Sequence, residues 1–256
     1  MRHLAALFLA VGLAVCVAVS THAQTEITLL SPNPIQETIN KLVADFQAKR
    51  GIQVKVTYGT GVSTRRDVAA GKAQDVSLMF SPFPEALRTG NIDKRSATVI
   101  ARMRLAIAVK KGAPKPDIST PAAVKRTLLN AKSIISVDPE QGSVGTAVLL
   151  ALDKLGLTQQ LKPKIKWVPT GGVVQDSVAK GESEIAFGPY LSDMRNPGLD
   201  VVGALKPDAA PPIDVTGFIS TTPSNKQAAR ALLDYLASPE AAPVYREAKM
   251  FAAADK

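Results

Sequence analysis

Beyond residue 23 this chain has no histidine and no cysteine. His3, His22 and the single cysteine, Cys16, all fall before that point. Their absence from the rest excludes Cys/His zinc sites, disulfides, thiol nucleophiles and any Ser-His-Asp or Cys-His constellation there. Most hydrolytic and redox chemistry goes with those side chains, so binding is expected ahead of catalysis. Aromatic residues are scarce, at 5%. The Lys and Arg residues are dispersed rather than clustered, and both features argue against a nucleic-acid surface. Past the N-terminus no apolar run approaches the ~18 residues that span a bilayer.

What is present starts with the N-terminus itself. Met1-Arg2-His3 is short and positive, Leu4 to Val19 is apolar and uncharged, and Ser20-Thr21-His22-Ala23 is small and polar. This is the layout of a secretory signal peptide cleaved after Ala23, and the product is expected in the periplasm. Cys16 follows Leu13-Ala14-Val15, where the bulky valine argues against a lipid-attachment site. Without its first 23 residues the chain keeps 233, with 30 Lys and Arg against 22 Asp and Glu, a net charge of +8. That surplus favours an anionic partner and also serves solubility.

The length suits one large domain or two ordinary ones. Strand-like and helix-like segments alternate, which points to α/β layers around parallel sheets. A first set runs through a strand at Ile27 to Leu30, a helix from Pro34 to Lys49, a strand at Ile52 to Thr57, a helix ending at Gly71 and a strand at Val76 to Phe80. The first helix carries an apolar stripe of Ile35, Ile39, Leu42, Val43 and Phe46. Asn33 is its expected N-cap, with Gln36 completing a capping box and Gly51 ending it. A second set begins near residue 100, with strands at Arg104 to Val109, Ser133 to Val137, Ile165 to Val168 and Glu184 to Phe187. A strand at Val215 to Ser220 precedes two C-terminal helices, Asn225 to Leu236 and Pro239 to Lys249. Two lobes follow: residues 24–101 with 221–256, and residues 102–220.

Four turns between strand and helix share one character. They are Ser31-Pro32-Asn33-Pro34, Gly59 to Thr64, Gln141 to Gly145, and Thr170-Gly171-Gly172. Each is small, rich in glycine or hydroxyl groups, and lies just before a helix, where unpaired N–H groups attract anions. Small polar turns also satisfy plain capping requirements. In open α/β sheets, however, ligands bind outside the carboxyl ends of the strands, so two such turns from each lobe are expected to meet at a cleft. Arg65 and Arg66 sit early in a helix, where a cation opposes the macrodipole. One is expected to pair with an acid, Asp67 or Asp75, and the other to reach a ligand carboxylate. Gly59-Thr60-Gly61 lacks the third glycine of a dinucleotide loop. Asp138 with Glu140 reads as a solvated turn, and no Ser-Lys spacing singles out a dyad. Trp167, Phe187 and Tyr190 lie near the third and fourth turns.

Several stretches resemble the periplasmic molybdate-binding proteins of ABC importers. They include Asn40-Lys41-Leu42-Val43-Ala44-Asp45-Phe46, Arg66 to Val76, Ala101 to Leu105 with Lys111-Gly112, Asp138-Pro139-Glu140 with Gly145, Val178 to Glu182, and Ala231 to Ala241. The resemblance covers most of the chain after residue 23. It implies a two-lobed type II binding-protein fold, each lobe a mostly parallel sheet flanked by helices. It also implies no cofactor and no metal, an inner-membrane ABC permease as partner, and a monomer. The departures fall on that family's ligand positions. Its first serine falls on Pro34, with Ser31 and Asn33 in the same loop. Its second falls on Gly61, flanked by Thr60 and Ser63. The backbone donors fall on Val144 and near Gly171, and the tyrosine on Phe187, which has no hydroxyl. A desolvated dianion needs nearly every oxygen hydrogen-bonded. Either Ser31, Ser63, Ser143 and Thr170 replace the missing donors, or the ligand differs. Arg65, where that family has a small residue, favours an organic di- or tricarboxylate over a molybdate-like oxyanion. A periplasmic sensor subunit and a secreted enzyme of Ser-Lys or carboxylate type are the alternatives.

Overall fold

The computed structural model describes residues 25–72, 74–191 and 196–255; the expected signal peptide lies outside them. The chain runs β1 (Glu26–Pro32), a 3-10 turn (Asn33–Ile35), α1 (Gln36–Arg50), β2 (Gln53–Gly59), α2 (Gly61–Ala69), β3 (Val76–Phe80), α3 (Pro84–Arg88) and β4 (Ile92–Met103). It continues through β5 (Leu105–Lys110), α4 (Pro121–Asn130), β6 (Ile134–Val137), α5 (Ser143–Lys154), α6 (Thr158–Leu161), β7 (Ile165–Val168), α7 (Gly171–Lys180), β8 (Ile185–Pro189) and β9 (Leu199–Ala204). It closes with β10 (Ile213–Ser220), α8 (Lys226–Leu236), α9 (Ala242–Glu247) and β11 (Phe251–Ala252).

Two sheets build a two-lobed α/β architecture: a six-stranded one in the order β11-β4-β10-β3-β1-β2 and a five-stranded one in the order β7-β6-β8-β5-β9. Each is mixed rather than mostly parallel. β3, β1 and β2 run parallel, as do β7, β6 and β8, while β10, β4, β11, β5 and β9 add antiparallel pairings. The chain passes between the sheets at Arg104, which alone separates β4 from β5, and returns between β9 and β10. β10, read from sequence with the second lobe, is inserted between β3 and β4 of the first sheet. Its core residues Ile213, Val215 and Ile219 pack there.

The helices show why these segments fold where they do. In α1 the side chains of Ile39, Leu42, Val43 and Phe46 are buried at helical spacing, each contributing about 1.5–3 kcal/mol relative to exposure. Gly51 ends the helix at φ 65°, a left-handed conformation that glycine adopts without strain. The start differs from expectation: Asn33 makes no cap hydrogen bond and lies in the 3-10 turn, and Ile35 precedes α1 without a side-chain cap. Pro34 is compatible with a first helical position, but the chain takes a tighter 3-10 turn over Asn33–Ile35 and α1 begins at Gln36. α9 is shorter than the helix expected from Pro239 to Lys249. Thr60, Thr120, Thr170 and Asn225 all cap their helices through side-chain oxygens.

Candidate functional site

All six parallel strands end on one cavity of about 320 Å³ between the lobes. Asn33 and Pro34 follow β1, Thr60 and Gly61 follow β2, and Phe80 ends β3. From the other lobe come Val137 at the end of β6, Gln141 to Val144 at the start of α5, Pro169 to Gly172 after β7, and Phe187 to Pro189 at the end of β8. The parallel halves of the two sheets therefore face each other by their carboxyl ends, the position where open α/β sheets bind ligands.

Three helix N-termini meet at this cavity. α2 and α7 have threonine caps: Thr60 accepts from Ser63 N–H at 3.0 Å and Thr170 from Val173 N–H at 3.4 Å. These caps serve the third N–H of each helix and leave the first two for other acceptors. α5 starts after Gly142, without a side-chain cap. The three dipoles and their uncapped N–H groups make the cavity electropositive although no basic side chain is among its described lining residues. Its walls are largely apolar, with Phe80, Val137, Val144, Val174, Phe187 and Leu191 around the polar Asn33, Thr60, Gln141, Ser143, Thr170 and Gln175.

Of the sequence-predicted residues, Asn33, Thr60, Gly61, Ser143, Val144, Thr170, Gly171 and Phe187 are brought together in this lining. Four lie outside it. Ser31 is fully buried in β1, and its Oγ has no hydrogen-bond partner among the described residues. Ser63 turns its hydroxyl back onto Thr60 O at 3.2 Å. Tyr190 donates its backbone N–H to Arg104 O at 2.7 Å, and Lys249 Nζ stands 5.2 Å from its ring centroid.

Arg65 is the fourth. It is buried, and its Nε donates to Glu85 Oε1 at 2.8 Å. The acid is thus Glu85 on α3 rather than Asp67 or Asp75. Asp67 pairs with Lys72, while Asp75 accepts from Thr28 and Ser224. Arg65 also reaches across the cleft: Nη1 donates to Ser143 Oγ at 2.8 Å. Arg66 is exposed. Residues that the sequence reading missed, Phe80, Val137, Pro169, Val174, Gln175, Gly188, Pro189 and Leu191, sit mostly at or just past strand ends. The rule for open α/β sheets applied strand by strand would have found Phe80, Val137 and Pro189.

A two-lobed α/β fold with a cleft at the facing strand ends and helix N-termini converging on it defines a solute-binding protein. The chain belongs to that class by descent as well: the profile of the family described as bacterial extracellular solute-binding protein matches residues 27–248. An aconitate isomerase from Pseudomonas sp is 31% identical over 226 residues, which is 85% of this chain and 84% of that protein. The molybdate-binding protein ModA of Escherichia coli (strain K12) is 22% identical over 242 residues, covering 92% of this chain and 93% of that one. Among solved structures, the substrate-binding domain of a putative molybdenum ABC transporter from Clostridium difficile superposes with a TM-score of 0.73 at 16% identity, covering 89% of this chain and 99% of that one. The resemblance read from the sequence holds, and the chain is molybdate-binding-like in family and fold.

Proposed function

We propose that this protein captures a small organic polycarboxylate in the periplasm and delivers it to an inner-membrane ABC permease. The observation that carries the reading is the cavity: about 320 Å³, apolar along its walls, with helix N-termini at several points around it. A tetrahedral oxyanion has four oxygens, each about the ~30 Å³ of a liquid water, or roughly 120 Å³ in all. It would leave more than half of this space unfilled and bring no carbon to the apolar walls. A three- to six-carbon acid with carboxylates at its ends matches both the separated donors and the apolar surface between them. Pro34, Gly61 and Phe187 lack the side-chain donors that the molybdate-binding resemblance implies at those places. The likeness to an aconitate isomerase supports an unsaturated tricarboxylate as the first ligand to try.

That same likeness favours a second reading, in which the site isomerises the acid it holds. Moving a proton on carbon calls for a general base within hydrogen-bond reach of the substrate. The described lining residues offer amides, hydroxyls and backbone N–H groups, and no titratable side chain. The test is a thermal-shift panel of trans-aconitate, cis-aconitate, citrate, succinate, molybdate and sulfate. A ligand at ~100 times its dissociation constant adds about 2.7 kcal/mol. The polycarboxylates are expected to raise the melting temperature by several degrees and molybdate to leave it unchanged; the reverse pattern overturns the proposal. Proton NMR of a cis-aconitate incubation decides the second reading, since appearance of the trans isomer means an enzyme.

A further inference from the structure

We infer that Arg65 is a positioning residue that orients the Ser143 hydroxyl to donate its proton to the bound anion, through a hydrogen bond that forms only when the two lobes are together. A guanidinium has donors and no acceptor. In the 2.8 Å contact from Arg65 Nη1, Ser143 Oγ is therefore the acceptor. The hydroxyl proton of Ser143 has no acceptor among the described residues, and Ser143 lines the cavity. It is left to donate there, onto a ligand oxygen.

Arg65 is itself fixed. Its Nε is held by Glu85 at 2.8 Å, and its side chain is 9% exposed. The chain from Glu85 through Arg65 to Ser143 thus runs from α3 and α2 of one lobe to the first residue of α5 in the other. A hydroxyl whose lone pair is engaged by a cation is a stronger donor and a poorer acceptor, since hydrogen bonds in a chain polarise one another. The arrangement favours an ionised carboxylate, which accepts that proton more strongly than the neutral oxygen of an amide or alcohol. Arg65 thus acts on the ligand through Ser143, without a direct contact of its own. This rests on the anion-binding reading of the cleft and names how that cleft recognises charge.

The experiment is calorimetric titration of wild type, Ser143→Ala, Arg65→Met and the double variant, each with trans-aconitate and separately with molybdate. Circular dichroism melts check that each variant folds, and Ser143→Ala, which removes one atom, keeps the test open if Arg65→Met does not. For the ligand that binds, each single variant is expected to lose roughly 10- to 100-fold in affinity. The double variant is expected to lose no more than about threefold beyond the worse single one, because one residue acts through the other. Losses that multiply in the double variant, an undiminished affinity in Ser143→Ala, or no binding of either anion by wild type overturn the inference. If molybdate alone binds and shows the coupled losses, the relay stands and the polycarboxylate reading falls.

Discussion

Gly61 and Ser143 touch across the cleft: a Cβ on Gly61 would lie 2.5 Å from Ser143 Oγ and 3.1 Å from Phe80 Cδ2. The first residue of α2 thus meets the first residue of α5 with no room for a methyl group. Gly61→Ala is compatible with the helix itself, where alanine is the better former, so the strain falls on the meeting of the lobes. To admit the methyl, the Ser143 hydroxyl must leave Arg65 or the helices must separate. We expect a melting temperature within a few degrees of wild type and an affinity for the ligand reduced about tenfold or more. Calorimetry beside a thermal melt checks both halves.

Gly145 serves the same helix from its other side. A Cβ there would lie 2.2 Å from Val137 O and 2.5 Å from Pro139 N. Both are backbone atoms, so neither can rotate away. Gly145→Ala is expected to cost about 1–3 kcal/mol, seen as a fall of several degrees in the melting temperature. It is also expected to weaken ligand binding, because Val137 and the start of α5 are both cavity walls.

Asp75 ties three segments of the first lobe. It accepts from Thr28 N–H and Oγ1, both at 2.7 Å, and from the Ser224 backbone N–H ahead of α8. Burial alone would raise its pKa, but the hydrogen bonds from Thr28 and Ser224 outweigh it and hold the carboxyl below its ordinary range. A group with a depressed folded pKa stabilises fully above its unfolded value of about 4 and loses that contribution as pH falls through the folded value. Asp75→Asn is therefore expected to lower stability near neutrality, by about 1–3 kcal/mol for the lost charge-assisted bonds. The gap between variant and wild type is expected to shrink steadily below about pH 4. Denaturant titrations at several pH values measure it; a pH-independent gap would show that the charge contributes nothing.

Much of this fold is legible in the sequence because its punctuation is chemical. Gly51 and Gly181 end helices at positive φ, and Thr60, Thr120, Thr170 and Asn225 begin them. Val76–Phe80, buried throughout, is read at its bounds from an apolar run. β4, the longest strand, is not legible. Its Asp93-Lys94-Arg95 segment is polar, and its register against β10 shifts twice, so no alternation of period two survives. β9 is an edge strand with half-buried residues and carries little signal either. Placing β10 with the wrong lobe had a different cause: partners far apart in sequence decide sheet membership, and no local pattern encodes them.

The site divides in the same way. The glycine and hydroxyl turns are readable one by one, because helix starts demand those residues. Their convergence follows from the topology that points both parallel half-sheets at one cleft. The Arg65–Ser143 contact joins residues 78 positions apart. Its sequence trace is a single oddity, a cation early in a helix, which marked Arg65 as unusual without naming its partner.

The central claim is that this cleft is built for an organic polycarboxylate rather than an oxyanion. Isothermal titration calorimetry of residues 24–256 with trans-aconitate and with molybdate, at equal concentrations in the same buffer, tests it most directly. The account predicts one-to-one binding of the tricarboxylate and no heat from molybdate. Saturable molybdate binding with a silent tricarboxylate would contradict it.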